Sequence, residues 1–544
     1  MPREAVPGIR QPCSGAAAVF SVAALAALAA ACHGGGHSSA QNAFPPVNPP
    51  PSSSGWSAGT FLPSPTYAGQ CAAPRSGVDP ATGQPYPDLP GSSVTENNWL
   101  RSWSHELYLW YAEVPDLDPG LYATADYFPL LKTAATTPSG RPKDRFHFTY
   151  PTDQWEELSQ SGVAPGYGVE WIIGSAVPPR VATVAYREPN SPAEQAGLDR
   201  GARLLSVDGV DFVNDYTNAG VDAINAAVYP AAAGETHSFE VLDSGAAVPR
   251  SFTMRSDNVT SVPVPIVQTI ATSSGTVGYL LFNDHLALAE QALVDAVTTL
   301  RNANVDDLVL DIRYNGGGYL VVASELSFMI AGSVPTAGRT FEQTQFSDKY
   351  PNTDPVTGGP LTPLPFVSTT VGLSAPPGQP LPTLDLPRVF VLTGPGTCSA
   401  SESIINSLRG VDIEVIQIGS TTCGKPYGFY PQDNCGTTYF TVEFRGVNAK
   451  GFGDYTDGFS PMNAPGPAGV ALPGCSVLDD LDHGLGDSAE ARLAAALAFR
   501  ETGTCPAASG LGGLGASKPG ATAGVDGRIL KAPWRENRIL TPWH

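Results

Sequence analysis

Arg388-Val-Phe-Val-Leu-Thr393, Gly396-Thr-Cys-Ser399-Ala-Ser-Glu402, Ile413-Glu-Val-Ile-Gln-Ile418 and Gly419-Ser-Thr-Thr-Cys-Gly424-Lys425 form the stretch on which the reading of this chain turns. The two apolar runs, each bounded by glycine, read as buried strands. Ile404, Ile405 and Leu408, stopped by Gly410, predict a helix that opens at Ser399. The order is therefore strand, serine, helix, strand, lysine. A serine hydroxyl is a poor nucleophile until a base takes its proton. A lysine can be that base only when neutral, which needs a dry pocket that lowers its pKa from about 10.4. The free N–H groups and dipole of a helix starting at Ser399 would point at negative charge developing there.

Outward from this stretch the chain alternates. Val277-Gly-Tyr-Leu-Leu-Phe282 and Asp307-Leu-Val-Leu-Asp-Ile312 read as further strands, and Leu288 to Leu300 has helical periodicity. Gly316-Gly-Gly318 follows the second strand, and an apolar helix begins near Leu320. Such alternation over 265–505 predicts an α/β core with a partly parallel sheet. Residues 333–387 interrupt it with proline and glycine and are expected to be an insertion, either a lid or an outer loop. Upstream, 95–150 carries Trp99, Leu100, Trp103, Leu107, Trp110 and Tyr111 at roughly helical spacing, which predicts a small helical domain with an aromatic core.

Residues 160–255 read differently. Gly166-Tyr-Gly-Val-Glu-Trp-Ile-Ile173 is a loop leading into a strand. Ser191-Pro-Ala-Glu-Gln-Ala-Gly-Leu198 is a short capped helix, and Gly201-Ala-Arg-Leu-Leu-Ser-Val-Asp-Gly209 is a strand ending in a turn. This order resembles a PDZ domain, whose fold adds an extended peptide as a strand. The resemblance implies a peptide-binding loop at Gly166, Tyr167 and Gly168.

The N-terminus reads as an export signal over 1–31: Arg3 and Arg10 precede an apolar run from Ala16 to Ala31 that is short for a membrane span. Leu28-Ala-Ala-Ala31-Cys32 resembles a lipoprotein processing site, so lipidation at Cys32 is expected, with ordinary cleavage near Ala31 as the alternative. Residues 32–65 are a Gly/Ser/Pro-rich tether, and 508–544 are expected to be a disordered tail. A net charge of −21 without any Lys/Arg-rich run argues against nucleic-acid binding. Beyond Cys13 and Cys32, six cysteines remain: Cys71, Cys398, Cys423, Cys435, Cys475 and Cys505. In an oxidising compartment these can form up to three disulfides of unassigned pairing. No Cys-x-x-Cys or nearby His pair suggests a metal site, and no cofactor is expected.

Asp311-Ile-Arg-Tyr-Asn315-Gly-Gly-Gly318, Ser399-Ala-Ser-Glu402 and Gly424-Lys425, in this order and behind a PDZ-like region, resemble the carboxyl-terminal processing peptidases. These are Ser-Lys serine endopeptidases with a core of the ClpP/crotonase type. The resemblance implies a multidomain α/β protein with that catalytic core, a β-rich PDZ-like domain and a small N-terminal helical domain. It implies Ser399 as nucleophile, Lys425 as general base, and backbone N–H groups of Gly317 and Ala400 as an oxyanion hole. The implied partner is a polypeptide substrate in a bacterial cell envelope, with the membrane reached only through a lipid anchor. The chain departs from the family at Phe429, where a lysine-orienting glutamine often stands, and at Cys398, where many members have serine or another small residue. Tyr427 and Gln432 are candidates to orient Lys425 instead. Each feature alone has a plainer reading: a serine at a helix start is usually a cap, a glycine run usually a turn, a lysine usually solvated. A His-based triad through His285, His237 or His483 ranks below Ser-Lys, and a catalytically inactive peptide-binding lipoprotein of the same fold is the rival reading. Asp454 and Asp457 suggest a turn cluster without a full calcium-loop motif.

Overall fold

The computed structural model describes residues 56–79, 82–465 and 469–506, with the dipeptides 528–529 and 538–539. The expected signal, Cys32 and most of the tether lie outside the described residues. Among those residues no helix is long and apolar enough to cross a membrane.

Helix α1 (Ser93–Leu107) opens with a capping box between Ser92 and Thr95. The helically spaced Trp99, Leu100 and Trp103 are buried against Tyr127, Phe128, Leu131 and Tyr439, so the aromatic stripe is core. This region is fastened to the rest by the Cys71–Cys435 disulfide and by pairing of Phe148–Pro151 with Thr437–Phe440.

The PDZ-like region is an antiparallel sheet of β1 (Val169–Ser175), β2 (Val181–Arg187), β3 (Arg203–Val207), β4 (Thr236–Leu242) and β5 (Arg250–Arg255), in spatial order β5-β4-β3-β2-β1. Helix α2 (Asn218–Val228) is capped by the Thr217 side chain. The expected short helix is present: Ser191 Oγ accepts from Glu194 N–H, with Pro192 in the first turn. Asp208 and Gly209 both have positive φ (49° and 78°), the geometry that tight hairpin turns require. Trp171, Val184, Leu198, Leu204 and Phe239 fill the interior.

The larger α/β domain runs β6 (Ile266–Thr272), β7 (Gly275–Leu281), α3 (Ala289–Asn302), β8 (Asp307–Asp311), β9 (Gly318–Tyr319), α4 (Leu320–Ala331), β10 (Arg388–Thr393), α5 (Ala400–Gly410), β11 (Glu414–Gly419), β12 (Tyr427–Gly428), β13 (Gly474–Ser476) and α6 (Ala491–Thr502). Its main sheet has the order β6-β7-β8-β10-β11-β13; the first pair is antiparallel and the rest are parallel. The strands read as continuous apolar runs because both faces are covered. Leu280, Leu308, Leu310, Val389 and Val391 face α3, α4 and α5. Tyr279, Val309, Phe390, Leu392 and Ile416 face α6. This is the α/β core with a PDZ-like domain expected from the sequence.

The insertion 333–387 forms an outer layer on α3 and α4. Glu290 of α3 accepts from the N–H groups of Val371, Gly372, Ser374 and Ala375, and Ser324 of α4 bonds the backbone of Pro365 and Val367. Its strand Thr340–Gln345 pairs with Phe444–Val447.

Of the tail expected to be disordered, only two dipeptides are described, and both are strands. β14 (Arg528–Ile529) pairs antiparallel with β1, Arg528 opposite Ile173 and Ile529 opposite Ile172. β15 (Arg538–Ile539) pairs parallel with β9, Arg538 opposite Gly318 and Ile539 opposite Tyr319.

Candidate active site

Ser399 sits where β10 gives way to α5, and it is fully buried. Its backbone is at φ 58°, ψ −118°, unlike the extended geometry of an ordinary helix cap. A non-glycine residue there costs about 1–3 kcal/mol and persists only where its surroundings over-determine it. They do: Cys398 N–H donates to Asn315 O at 3.1 Å, Ser399 N–H donates to Glu402 Oε2 at 3.1 Å, and Cys398 is bonded to Cys423.

Glu402, in the first turn of α5, ties the serine loop to the lysine loop. Its carboxylate accepts from Thr422 Oγ1 (2.5 Å), Gly424 N–H (2.8 Å) and Lys425 N–H (2.8 Å), besides Ser399 N–H. Burial pushes its pKa above the usual carboxylate range, against the pull of these donors. Gly424 has φ +84°, and a Cβ there would stand 2.3 Å from Thr456 O, so the turn before Lys425 requires glycine.

Lys425 is fully buried. Its Nζ lies 4.9 Å from the ring centre of Phe146 and 4.8 Å from that of Phe429. Phe429 itself is buried among Trp155, Leu158, Leu286 and Phe440. The residue that replaces an orienting glutamine is thus one wall of an aromatic slot around the amine. Tyr427 lines the neighbouring cluster with Phe146, Cys398 and Cys423, whereas Gln432 belongs to a separate strand paired with Tyr439.

The glycine run packs directly on the serine. A Cβ on Gly317 (φ +108°) would lie 2.8 Å from Ser399 Cβ and 2.9 Å from Ala400 N. The Gly317 N–H donates to Asn315 Oδ1 at 3.0 Å. Ala400 begins α5, among the first-turn N–H groups that have no partner within a helix. His285 is a support: its Nδ1 is 2.9 Å from Asn315 Oδ1, and its backbone pairs with Gly317 O and Tyr319 N–H. His237 and His483 lie elsewhere, beside Asp208 and Asp480.

Behind the run, Arg313 is buried against Asp311, Asp479 and Glu490. Arg200 of the PDZ-like region joins this cluster through Asp479 Oδ1 (2.7 Å) and the Tyr314 hydroxyl (2.5 Å). Asp479, among three arginines, is held far below the usual carboxylate range despite its burial. A continuous polar network thus reaches from the PDZ-like domain to the segment carrying the glycines.

In the PDZ-like loop, the Tyr167 side chain packs inside on Phe239, while Tyr167 O and Gly168 O accept from Ala193 and Glu188 N–H. Gly168 (φ +71°) could not carry a Cβ, which would stand 2.4 Å from Ser191 Cβ. The six described cysteines pair as Cys71–Cys435, Cys398–Cys423 and Cys475–Cys505. Among the described residues two Cys/Glu groups are close enough to hold an ion, around Glu96 and Glu402, but their sulfurs are committed to disulfides. Asp457 pins a neighbouring loop through Thr137, Ser139 and Arg141. The only sequence signal for Glu402 is the Ser-x-x-Glu capping pattern from Ser399. Phe146 and Asn315 gave no such signal.

Residues 276–429, spanning the glycine run, Ser399 and Lys425, match peptidase family S41, and 183–226 match the PDZ domain. The chain carries a peptidase family S41 domain behind a PDZ domain. It is 26% identical over 273 residues, 49% of this chain, to a carboxyl-terminal-processing protease of Picosynechococcus sp., and 29% identical over 138 residues, 25% of this chain, to one of Synechocystis sp.. The chain spans about half the length of the first (56%) and under a third of the second (31%). The fold is shared with a Bacteroides fragilis protein assigned to the S41 proteases, at TM-score 0.54 and 23% identity, over 77% of this chain and 98% of that one.

Proposed function

We propose that this protein is an exported serine endopeptidase that cleaves polypeptides through Ser399 and Lys425. The observation that carries this reading is the convergence of three separate segments: Glu402 accepts backbone N–H groups of both Ser399 and Lys425, while Gly317 packs on Ser399 and Ala400. Ser399 Oγ attacks the scissile carbonyl. Neutral Lys425, in a slot whose dryness disfavours the ammonium, takes the hydroxyl proton and returns it to the leaving amine. The Ala400 N–H and the α5 dipole stabilise the tetrahedral oxyanion; Gly317 joins them by exchanging Asn315 Oδ1 for the substrate oxygen. Water then releases the acyl group. The PDZ domain supplies β1, whose outer side is paired only at Ile172 and Ile173 by the dipeptide Arg528–Ile529 among the described residues, for an extended segment of the substrate. The export motif and three disulfides support an oxidising compartment, with Cys32 as lipid anchor.

The test is turnover of an unfolded protein substrate by the wild type and by Ser399→Ala. The expected result is loss of cleavage in the variant with its fold intact. Undiminished cleavage by Ser399→Ala would reject the assignment.

A further inference from the structure

Lys425 Nζ meets two ring faces that come from distant parts of the chain. Phe429 stands just past β12, and Phe146 lies before the strand Phe148–Pro151, outside the residues that match the peptidase family. At 4.9 Å and 4.8 Å from the two ring centres, the amine is within the ~6 Å reach of a cation–π attraction on both sides. Both rings are fixed. Phe429 is fully buried and packs edge-on against Phe440 at 5.2 Å between ring centres. Phe146 N–H donates to Asp144 Oδ1 at 2.9 Å, and Asp144 Oδ2 accepts from the buried Tyr108 hydroxyl at 2.7 Å. The adjacent Arg145 Nη2 donates to Cys423 O at 2.8 Å, which ties this segment to the loop that carries Lys425.

Burial alone disfavours an ammonium. The electron-rich face of an aromatic ring compensates part of that loss without a hydrogen bond. The compensation matters most once the serine has given up its proton and Lys425 carries charge, because an attraction realised in that state lowers the barrier. The charged groups around the slot have partners of their own: Glu402 in the N–H groups of the two loops, Asp144 in Phe146 and Tyr108, Arg145 in Cys423. His147 is bonded to Phe128 O and Thr441, Tyr150, Tyr319 and Tyr427 border the two ring clusters, and Asp454 lies near Tyr427.

We propose that Phe146 and Phe429 are positioning residues of the Ser399–Lys425 pair: they clamp the amine between two π faces and stabilise the protonated form it takes up during the reaction. The rings stand in for the acceptor that a glutamine would supply. The role in catalysis rests on the peptidase reading, but the amine can be followed without turnover. In the full-length Ser399→Ala protein, lysine is labelled with the heavy carbon isotope at Cε. The NMR resonance of Lys425 is assigned by its loss in Lys425→Arg and followed with pH. Phe429→Leu and Phe146→Leu keep the slot apolar and remove one π face each. A trifluorinated phenylalanine at position 429 keeps the ring's shape and drains its face of electrons. Each change should lower the titration midpoint of the amine by at least about half a pH unit. With Ser399 intact, the acid limb of kcat/KM should move the same way, and kcat on its high-pH plateau should fall about threefold or more with KM unchanged. A ring that only filled space would admit water when trimmed, so the midpoint would rise in the leucine variants and stay at the wild-type value with the fluorinated ring. A midpoint unmoved or raised by the fluorinated ring overturns the inference, whether or not the leucine variants fold. If Ser399→Ala keeps cleavage while the midpoint falls, the peptidase reading fails and the clamp stands. If Ser399→Ala loses cleavage and the midpoint does not move, the clamp fails and the peptidase reading stands.

Discussion

Replacing Cys398 and Cys423 together by alanine removes a bond that joins the residue before the nucleophile to the residue two before the base. The two Cα atoms are 5.2 Å apart, the closed loop spans a sequence separation of 25, and both cysteines are buried. In the chain-entropy account, a loop of that size gives about 3.5 kcal/mol of stabilisation by restricting the unfolded chain. At about 2–4 °C per kcal/mol for a domain of this size, the melting temperature of the double variant should fall by about 7–14 °C. The bond also sets the spacing of the two reacting groups. Glu402 still bridges the loops through hydrogen bonds, so the site should loosen without dispersing. A misplacement near 1 Å can cost about a hundredfold in rate, so kcat should fall at least about tenfold with KM little changed. The assay is thermal unfolding under non-reducing conditions beside steady-state cleavage of an unfolded substrate. A variant within about 1 kcal/mol of wild-type stability and with unchanged kcat would refute the view that this disulfide braces the dyad.

Gly317→Ala places a methyl 2.8 Å from Ser399 Cβ and 2.9 Å from Ala400 N, at a φ of +108° that alanine avoids. Loss of kcat by about a hundredfold or more is expected, with peptide binding to the PDZ domain intact, and near-normal cleavage would contradict the placement of the glycine run. Glu325, buried in α4 beside Glu290, is pushed up to about 9 by burial and by that neighbouring carboxylate. Its folded pKa lies above the unfolded value near 4.3, so its contribution to stability is complete below about pH 4 and is lost as pH rises toward about 9. Glu325→Gln should therefore remove a decline of up to about 1.4 kcal/mol per pH unit between pH 5 and 9, seen by urea unfolding; identical slopes would count against it.

Much of the core was legible because burial on both sheet faces leaves uninterrupted apolar runs, as in Asp307–Ile312 and Arg388–Thr393. The serine and lysine segments were legible because their glycines and their order carry chemistry that side-chain periodicity does not. What escaped depends on contacts distant in sequence. Phe146 reaches Lys425 across about half of the chain, and Arg200 reaches Asp479 from another domain. Phe429 reads as a departure because the family resemblance shows a missing glutamine but not the slot that a ring completes. The insertion read as an interruption because its fastening is backbone N–H to Glu290, which leaves no pattern in side chains.

The claim that Lys425 acts as a neutral base, and is not merely a positive charge, is tested most directly by Lys425→Arg. Arginine keeps the charge, but with a pKa above about 12 it cannot accept the Ser399 proton. Cleavage of an unfolded substrate across pH 6–10 should be lost in the folded variant, as in Lys425→Ala. Wild-type kcat in Lys425→Arg at any pH in that range would contradict the account.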